Sequence, residues 1–173
     1  MHSGQMADPL NKFAKQLKAL SGKRKRSDED LEAMAKIEFL GSLYADEDGH
    51  IIWPGENIEA MLVSAAKKQK EGQIAKVAAH VFDNCILDYK GPKSAEKLWE
   101  DESFRLRVAV KVTTSKVMRT RPIFRQWSTD VTVEFDEKLA DEAQVMRWFQ
   151  IAGSQIGLGD WRPRFGMFTV EKI

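Results

Sequence analysis

The sequence predicts an α+β fold in which an antiparallel sheet carries helices on one face. Two kinds of periodicity support this prediction. Some segments have apolar residues at helical spacing, and others alternate apolar and polar residues as half-buried strands do. Of the 173 residues, 43% are apolar and 31% are charged. A chain of this length and composition can bury a core of its own.

Residues 1–36 are predicted to form a basic arm with short helices, and residues 37–173 a single α+β domain. Apolar residues three and four positions apart predict an amphipathic helix over residues 9–20. Ser27, with an acid three residues later, has the spacing of a capping box and opens a second helix over residues 28–35.

The first half of the domain is predicted to begin with a β-hairpin. Its strands lie at residues 37–44 and 50–53, with an acidic turn at residues 46–49. Residues 56–70 have helical spacing and predict a helix of about four turns. The largely apolar run at residues 74–87 is predicted to be a strand.

The second half is predicted to alternate strands and helices. In chain order it contains a short helix at 94–99, a strand at 104–112, a hairpin arm or loop at 116–121, a strand at 127–135, a helix at 139–152 and a final strand at 166–170. Strands arranged around one helix in each half favour a ferredoxin-like or RNA-recognition-like topology with two related halves.

Positive charge is segregated along the chain, although the net charge is only +1. Residues 11–26 contain seven cations and no acid, and residues 103–129 contain another seven without an acid. Such blocks create local positive fields, which favour an anionic partner such as nucleic acid. The alternative interpretations are a solvated tail for the first block and an ordinary strand surface for the second.

The segment at residues 117–127 interleaves cations with aromatic side chains, and residues 119–122 are expected to stand at an exposed edge. Cations attract phosphates and aromatic faces stack on bases, which are the two contributions that single-strand binders combine. Alternatively, Phe124 and Trp127 belong to the core and the arginines form a protomer interface or pair with Glu134, Asp136 or Asp160.

A glycine-rich segment at residues 153–166 surrounds a second set of aromatic and cationic residues, Trp161, Arg162, Arg164 and Phe165. Its glycines allow unusual backbone angles, and its side chains offer stacking planes and phosphate donors. The segment lacks the third glycine of a dinucleotide fingerprint and leads out of a helix. The alternative is a helix cap and a structural loop in which Trp161 fills the core.

Catalytic chemistry is poorly represented, and we expect no enzyme, no cofactor and no metal site. Cys85 lies in an apolar setting typical of a buried structural thiol, and His50 is expected to be a turn residue. The acidic clusters at residues 46–48 and 100–102 are interpreted as solvated turns. Without a transmembrane run or a visible signal peptide, we expect a cytoplasmic protein.

The sequence resembles a family of small bacteriophage and prophage proteins over residues 37–173. The segments that carry this resemblance are IIWPGENIEAMLVSAAKKQK, VMRTRPIFRQW and AGSQIGLGDWRPRFGMFTV. The layout is also similar, more weakly, to the RAMP-type backbone subunits of CRISPR effector complexes, which have a ferredoxin-like core. That similarity implies polymerisation along single-stranded RNA or DNA, with Arg119, Arg121 and the loop at residues 157–166 near the strand.

The function predicted from the sequence is therefore that of a non-catalytic, phage-type protein that binds single-stranded nucleic acid and forms homo-oligomers. The alternatives are a protein-interaction factor, which inhibits a host protein or joins a virion, and a small hydrolase or nuclease. The residues expected at the nucleic acid are Arg105, Arg107, Lys111, Lys116, Arg119, Arg121, Arg125, Trp127, Gly157, Gly159, Trp161, Arg162, Arg164 and Phe165.

Overall fold

The computed structural model describes residues 4–173, apart from the side chain of Val112. The protein is α+β, as predicted, and combines helices with small antiparallel sheets. The chain divides into two compact units, each built from two separate segments. The first contains Asp88–Ser128 and the described residues up to Ile51, and the second contains Ile52–Leu87 and Thr129–Ile173. The predicted division at residues 36 and 37 stays a prediction.

The first unit packs three helices and one β-hairpin. Its elements are α1 (Lys12–Ser21), α2 (Asp28–Leu40), α5 (Ala95–Glu100), β4 (Arg105–Val112) and β5 (Ser115–Pro122). The capping box at Ser27 is confirmed, because its hydroxyl accepts from the amide of Asp30 and the Asp30 side chain accepts in return. Ser94 caps α5, also as predicted.

The predicted strand at residues 37–44 is wrong, because α2 continues to Leu40. Ala35, Glu38 and Phe39 are buried along one side of α2, and their spacing of three and four residues is that of a helix face. Only the bridge between Ala45 and Ile51 remains of the predicted hairpin. Burial of this helix face therefore decided that the segment forms a helix and not a strand.

The hairpin of β4 and β5 is confirmed, and residues 116–121 form its second arm. The register runs from Arg105 opposite Pro122 to Val112 opposite Ser115, across a two-residue turn. Beside the hairpin, Tyr89, Phe104 and Phe124 form an aromatic cluster, with ring centroids 4.8 to 5.9 Å apart. Phe124 therefore has the packing role that the alternative interpretation gave it.

The second unit packs three helices with two short sheets. Its elements are β1 (Ile52–Trp53), α3 (Gly55–Ala66), α4 (Gly72–Ala78), β2 (Ala79–His80), β3 (Cys85–Ile86), β6 (Glu134–Phe135) and α6 (Glu142–Ile151). The predicted helices at residues 56–70 and 139–152 are thus confirmed in their central parts. β1 pairs with β3, and β2 pairs with β6, both antiparallel.

Three further strand predictions in this region need correction. Residues 72–78 are helix, since Gly72, Ala75 and Ala78 are buried at a spacing of three. Of residues 127–135 only Glu134–Phe135 joins a sheet, and residues 166–170 form no strand. The described strands consequently form three separate two-stranded sheets in place of one larger sheet.

Trp148 provides a test of the core of the second unit. Its side chain is fully buried, and Nε1 donates to Glu71 Oε2 at 2.7 Å. Glu71→Ala would leave this indole N–H without an acceptor, so we expect a loss of about 1 to 3 kcal/mol in the free energy of unfolding, measured by urea denaturation. Glu71→Gln keeps an acceptor oxygen and should retain more stability. Equal losses for the two variants would contradict this explanation.

Candidate nucleic-acid interface

The register of the hairpin places four cations on one of its faces: Arg105, which is paired with Glu102, and three that have no carboxylate partner among the described residues. Directly opposed residues of an antiparallel pair project to the same face, and alternate residues of a strand share a face. Lys111 opposes Lys116, and Arg107 lies four residues before Lys111 on β4. All three side chains are exposed, and none makes an ion pair or side-chain hydrogen bond with another described residue. We call Arg107, Lys111 and Lys116 the cationic face.

The predicted arginines of β5 lie on the other face of the hairpin. Arg119 opposes Val108 and Arg121 opposes Leu106, so both share a face with the apolar residues of β4. Both arginines are half-buried. A shift of one residue in the register would exchange the faces, and the two-residue turn fixes which register forms.

Glu38 of α2 holds Arg119 in place. This carboxylate is 5% exposed, and Oε1 accepts from the Arg119 guanidinium while Oε2 accepts from the backbone N–H of Thr120 at 3.0 Å. The predicted exposed edge at Arg119 to Pro122 is therefore covered, with Thr120 and Pro122 buried. Glu38 is a polar residue within the apolar stretch before Gly41, and this position was the signal that could have identified it. The strand prediction concealed that signal.

Two further predicted arginines also have protein partners. The Arg105 guanidinium lies 2.9 Å from Glu102 Oε1, and its Cζ lies 4.8 Å from the centroid of the Trp99 ring. Arg125 is exposed and donates to the carbonyl of Ser103 at 3.2 Å. Trp127 is half-buried.

The glycine-rich segment of the second unit forms a loop that closes on itself. The N–H of Leu158 donates to the carbonyl of Gly166 at 2.8 Å. Gly166 has φ +80°, and a Cβ there would lie 1.8 Å from the carbonyl oxygen of Leu158, so only glycine fits. Gly157 has φ +78° and ends the π-helical turn Ala152–Ile156. We call residues 157–166 the closed loop.

The closed loop exposes two aromatic rings beside a guanidinium group. Trp161 is 41% exposed and Phe165 is 37% exposed, with ring centroids 5.7 Å apart in an edge-to-face arrangement. Cζ of Arg164 lies 5.8 Å from the Trp161 centroid and 6.0 Å from that of Phe165. Arg162 is exposed as well. The alternative in which Trp161 fills the core is therefore wrong.

The predicted interface residues thus fall into two sets. The hairpin and the segment after it belong to the first unit, and the closed loop with Gly157 and Gly159 belongs to the second. Gly159, with φ +107°, approaches the ring of Trp53 within the second unit, since a Cβ there would lie 3.5 Å from it. Each set combines cations with aromatic side chains.

The remaining chemical groups singled out from the sequence have local explanations. Cys85 is buried, and burial, helped by the charge of Asp83, raises the pKa of its thiol, which disfavours the reactive thiolate. Asp46, Asp48 and His50 lie with one possible ligand atom each within 4.8 Å of one another. Desolvation raises the pKa of the Asp46 carboxyl, but hydrogen bonds from His50 outweigh this effect and hold the pKa below its usual value. These hydrogen bonds account for the geometry of the turn.

Comparison with known proteins gives no match among protein-family models, curated proteins or solved structures. Within residues 4–173, no helix has the length and apolar character that crossing a bilayer requires.

Proposed function

We propose that the chain is a phage-type, non-catalytic protein that binds single-stranded nucleic acid and self-associates. The observation that carries this proposal is the closed loop, which presents Trp161 and Phe165 to solvent beside Arg164. Stacking of a base on an aromatic side chain contributes about 1 to 3 kcal/mol in proteins of this kind. Arginine adds charge-assisted hydrogen bonds to phosphate.

Single strands fit the closed loop better than duplexes do. The faces of bases in a duplex are already stacked on their neighbours, whereas an unpaired base can stack on an exposed ring. The cationic face of the hairpin adds attraction to phosphates that does not depend on sequence. Its three side chains are available for this role, because they have no carboxylate partner among the described residues.

The proposal does not require a ferredoxin-like sheet. It needs the closed loop and an exposed ribbon, and both are formed by local backbone pairing. The resemblance to phage proteins, the weaker one to RAMP-type subunits and a cytoplasmic location in the host cell remain parts of the proposal.

The closed loop can be tested by removing its rings without changing the charge. Trp161→Ala combined with Phe165→Ala is expected to weaken binding of a labelled single-stranded oligonucleotide about 30- to 100-fold, the lower end of the range for the loss of two stacking contacts. The salt dependence of the remaining binding should stay unchanged. Fluorescence anisotropy over a range of salt concentrations measures both quantities.

Phe82→Ala is the matched control, since Phe82 is 72% exposed in the same unit but lies outside the closed loop. Its affinity should equal that of the unmodified protein. Equal losses for the control and the double variant would remove the closed loop from the interface. Absence of any salt-dependent binding by the unmodified protein would refute the function itself.

A protein-interaction factor is the second candidate, and exposed apolar side chains favour it. Besides Phe82, Val77 is 59% exposed and Ile86 is 55% exposed, all in the second unit. Large apolar side chains at a surface are common in protein interfaces. This candidate predicts no binding of oligonucleotides at any salt concentration.

A further inference from the structure

The outer edge of β4 carries unpaired backbone groups, and the hydrogen bonding of Thr120 identifies them. The N–H of Thr120 donates to Glu38, so it points away from β4. Arg107, opposite Thr120, is therefore in a pair without ladder hydrogen bonds, and its own N–H and C=O point outward. Because such pairs alternate, the same holds for Ala109 and Lys111.

Two independent contacts agree with this assignment. Pro122, which has no N–H, lies opposite Arg105, two residues along β5 from Thr120, at another position without a ladder donor. One residue further, the N–H of Ile123 donates to the carbonyl of Phe104 at 2.9 Å, as a hydrogen-bonded pair requires.

The outward groups of β4 are accessible. Arg107, Ala109 and Lys111 are all exposed, and their backbone N–H and C=O groups have no hydrogen-bond partner among residues 4–173. The opposite edge of the hairpin differs, because α2 covers β5 at Thr120. The hairpin therefore has one closed edge and one open edge.

We propose that a second copy of this chain pairs with the open edge of β4 when both copies are bound to one nucleic-acid strand. The two β4 strands would run antiparallel about a twofold axis at Ala109, with Ala109 opposite the partner's Ala109. Arg107 would then lie opposite the partner's Lys111, and Lys111 opposite the partner's Arg107. Every outward N–H and C=O of these three residues gains a partner in this register.

The charges explain why the nucleic acid is needed. Without it, each of the two pairs between Arg107 and Lys111 opposes two cations, which disfavours pairing, and cations at an open edge commonly prevent such association. In the paired state the cationic faces join, with three cations from each copy and six in all. A phosphate backbone that crosses this surface neutralises the repulsion and makes assembly dependent on nucleic acid.

This inference rests on the proposed function, and the experiment separates the two. Ala109→Cys places a thiol on the proposed axis, where a hydrogen-bonded antiparallel pair has a Cα separation of about 5.5 Å, within the range that a disulfide spans. Under mild oxidation we expect a disulfide-linked dimer in the presence of a single-stranded oligonucleotide of roughly 30 nucleotides, long enough for two copies. Little dimer should form without it.

Met118→Cys is the matched control, because Met118 lies directly opposite Ala109 on the same face and is 50% exposed. It lies on the other strand, away from the open edge, and should form little dimer. The unmodified chain, whose cysteine is buried, controls for Cys85. Dimer formation by Ala109→Cys without the oligonucleotide, or equally by Met118→Cys, would overturn the inference.

Ala109→Pro tests the same edge without a thiol. Proline removes an outward N–H only, so the β4–β5 ladder keeps its hydrogen bonds. We expect binding of a short oligonucleotide, of roughly 8 nucleotides, to be unchanged and cooperative binding of the longer one to be lost. Retained cooperativity would overturn the proposed edge pairing while leaving the proposed function intact. If the unmodified protein binds no oligonucleotide at all, both the proposed function and this inference are refuted.

Discussion

Glu38→Ala is expected to lower the free energy of unfolding by about 2 to 4 kcal/mol, because it removes a buried acceptor and a counter-charge together. The backbone N–H of Thr120, a residue 2% exposed, would lose its acceptor. Arg119 would lose its carboxylate, but its side chain is 36% exposed and can be partly rehydrated. The lost acceptor therefore accounts for much of the expected effect.

Urea denaturation followed by circular dichroism measures this loss. Glu38→Gln is the matched variant, since its amide oxygen can still accept from Thr120 while the charge is removed. It should fall between the unmodified protein and Glu38→Ala. If Glu38→Ala unfolds at the same urea concentration as the unmodified protein, the contact between α2 and β5 does not stabilise the first unit.

The same contact changes how arginine substitutions on β5 should be interpreted. Arg119→Ala would leave Glu38 buried without its cation, and breaking a buried pair in this way destabilises proteins. A loss of oligonucleotide binding in that variant would therefore report partial unfolding as well as lost contacts. The cationic face provides the cleaner test, because its side chains have no protein partners among the described residues.

Removing the cationic face is expected to produce the largest change in binding. In the variant Arg107→Ala, Lys111→Ala, Lys116→Ala, the slope of log affinity against log salt should fall in magnitude by about 2, since each phosphate contact to a single strand contributes about 0.7. Affinity at low salt should fall about 100-fold or more. Stability should be maintained, because Lys111 and Lys116 repel each other across the hairpin.

A variant with the same loss of net charge controls for long-range electrostatics. Lys68, Lys76 and Lys138 are exposed in the second unit and form no ion pairs with other described residues. Their joint replacement by alanine should change the salt slope much less. If both triple variants lose affinity and slope equally, the attraction is diffuse and the hairpin is not a specific contact surface.

Local sequence patterns predicted the elements whose cause is local. The capping box at Ser27, the helix after Pro54 and the alternating strand at residues 105–112 all depend on neighbours within a few positions. The wrong predictions concern short apolar runs, such as residues 37–40 and 74–78, whose apolar positions fit a helix and a strand equally well. Periodicity alone does not distinguish the two structures. Burial against other elements decided which of them formed.

Composition and spacing determined by themselves that this chain carries segregated positive charge, a glycine-rich aromatic segment and an α+β set of elements. Only the tertiary structure decided which cations are free. The two-residue turn sets the parity of the hairpin register, and that parity directs Lys116 to the face of Arg107 and Arg119 to the opposite one. Glu38, distant in sequence, then binds Arg119, because a carboxylate buried by helix packing needs a cation and a donor to compensate for its lost hydration.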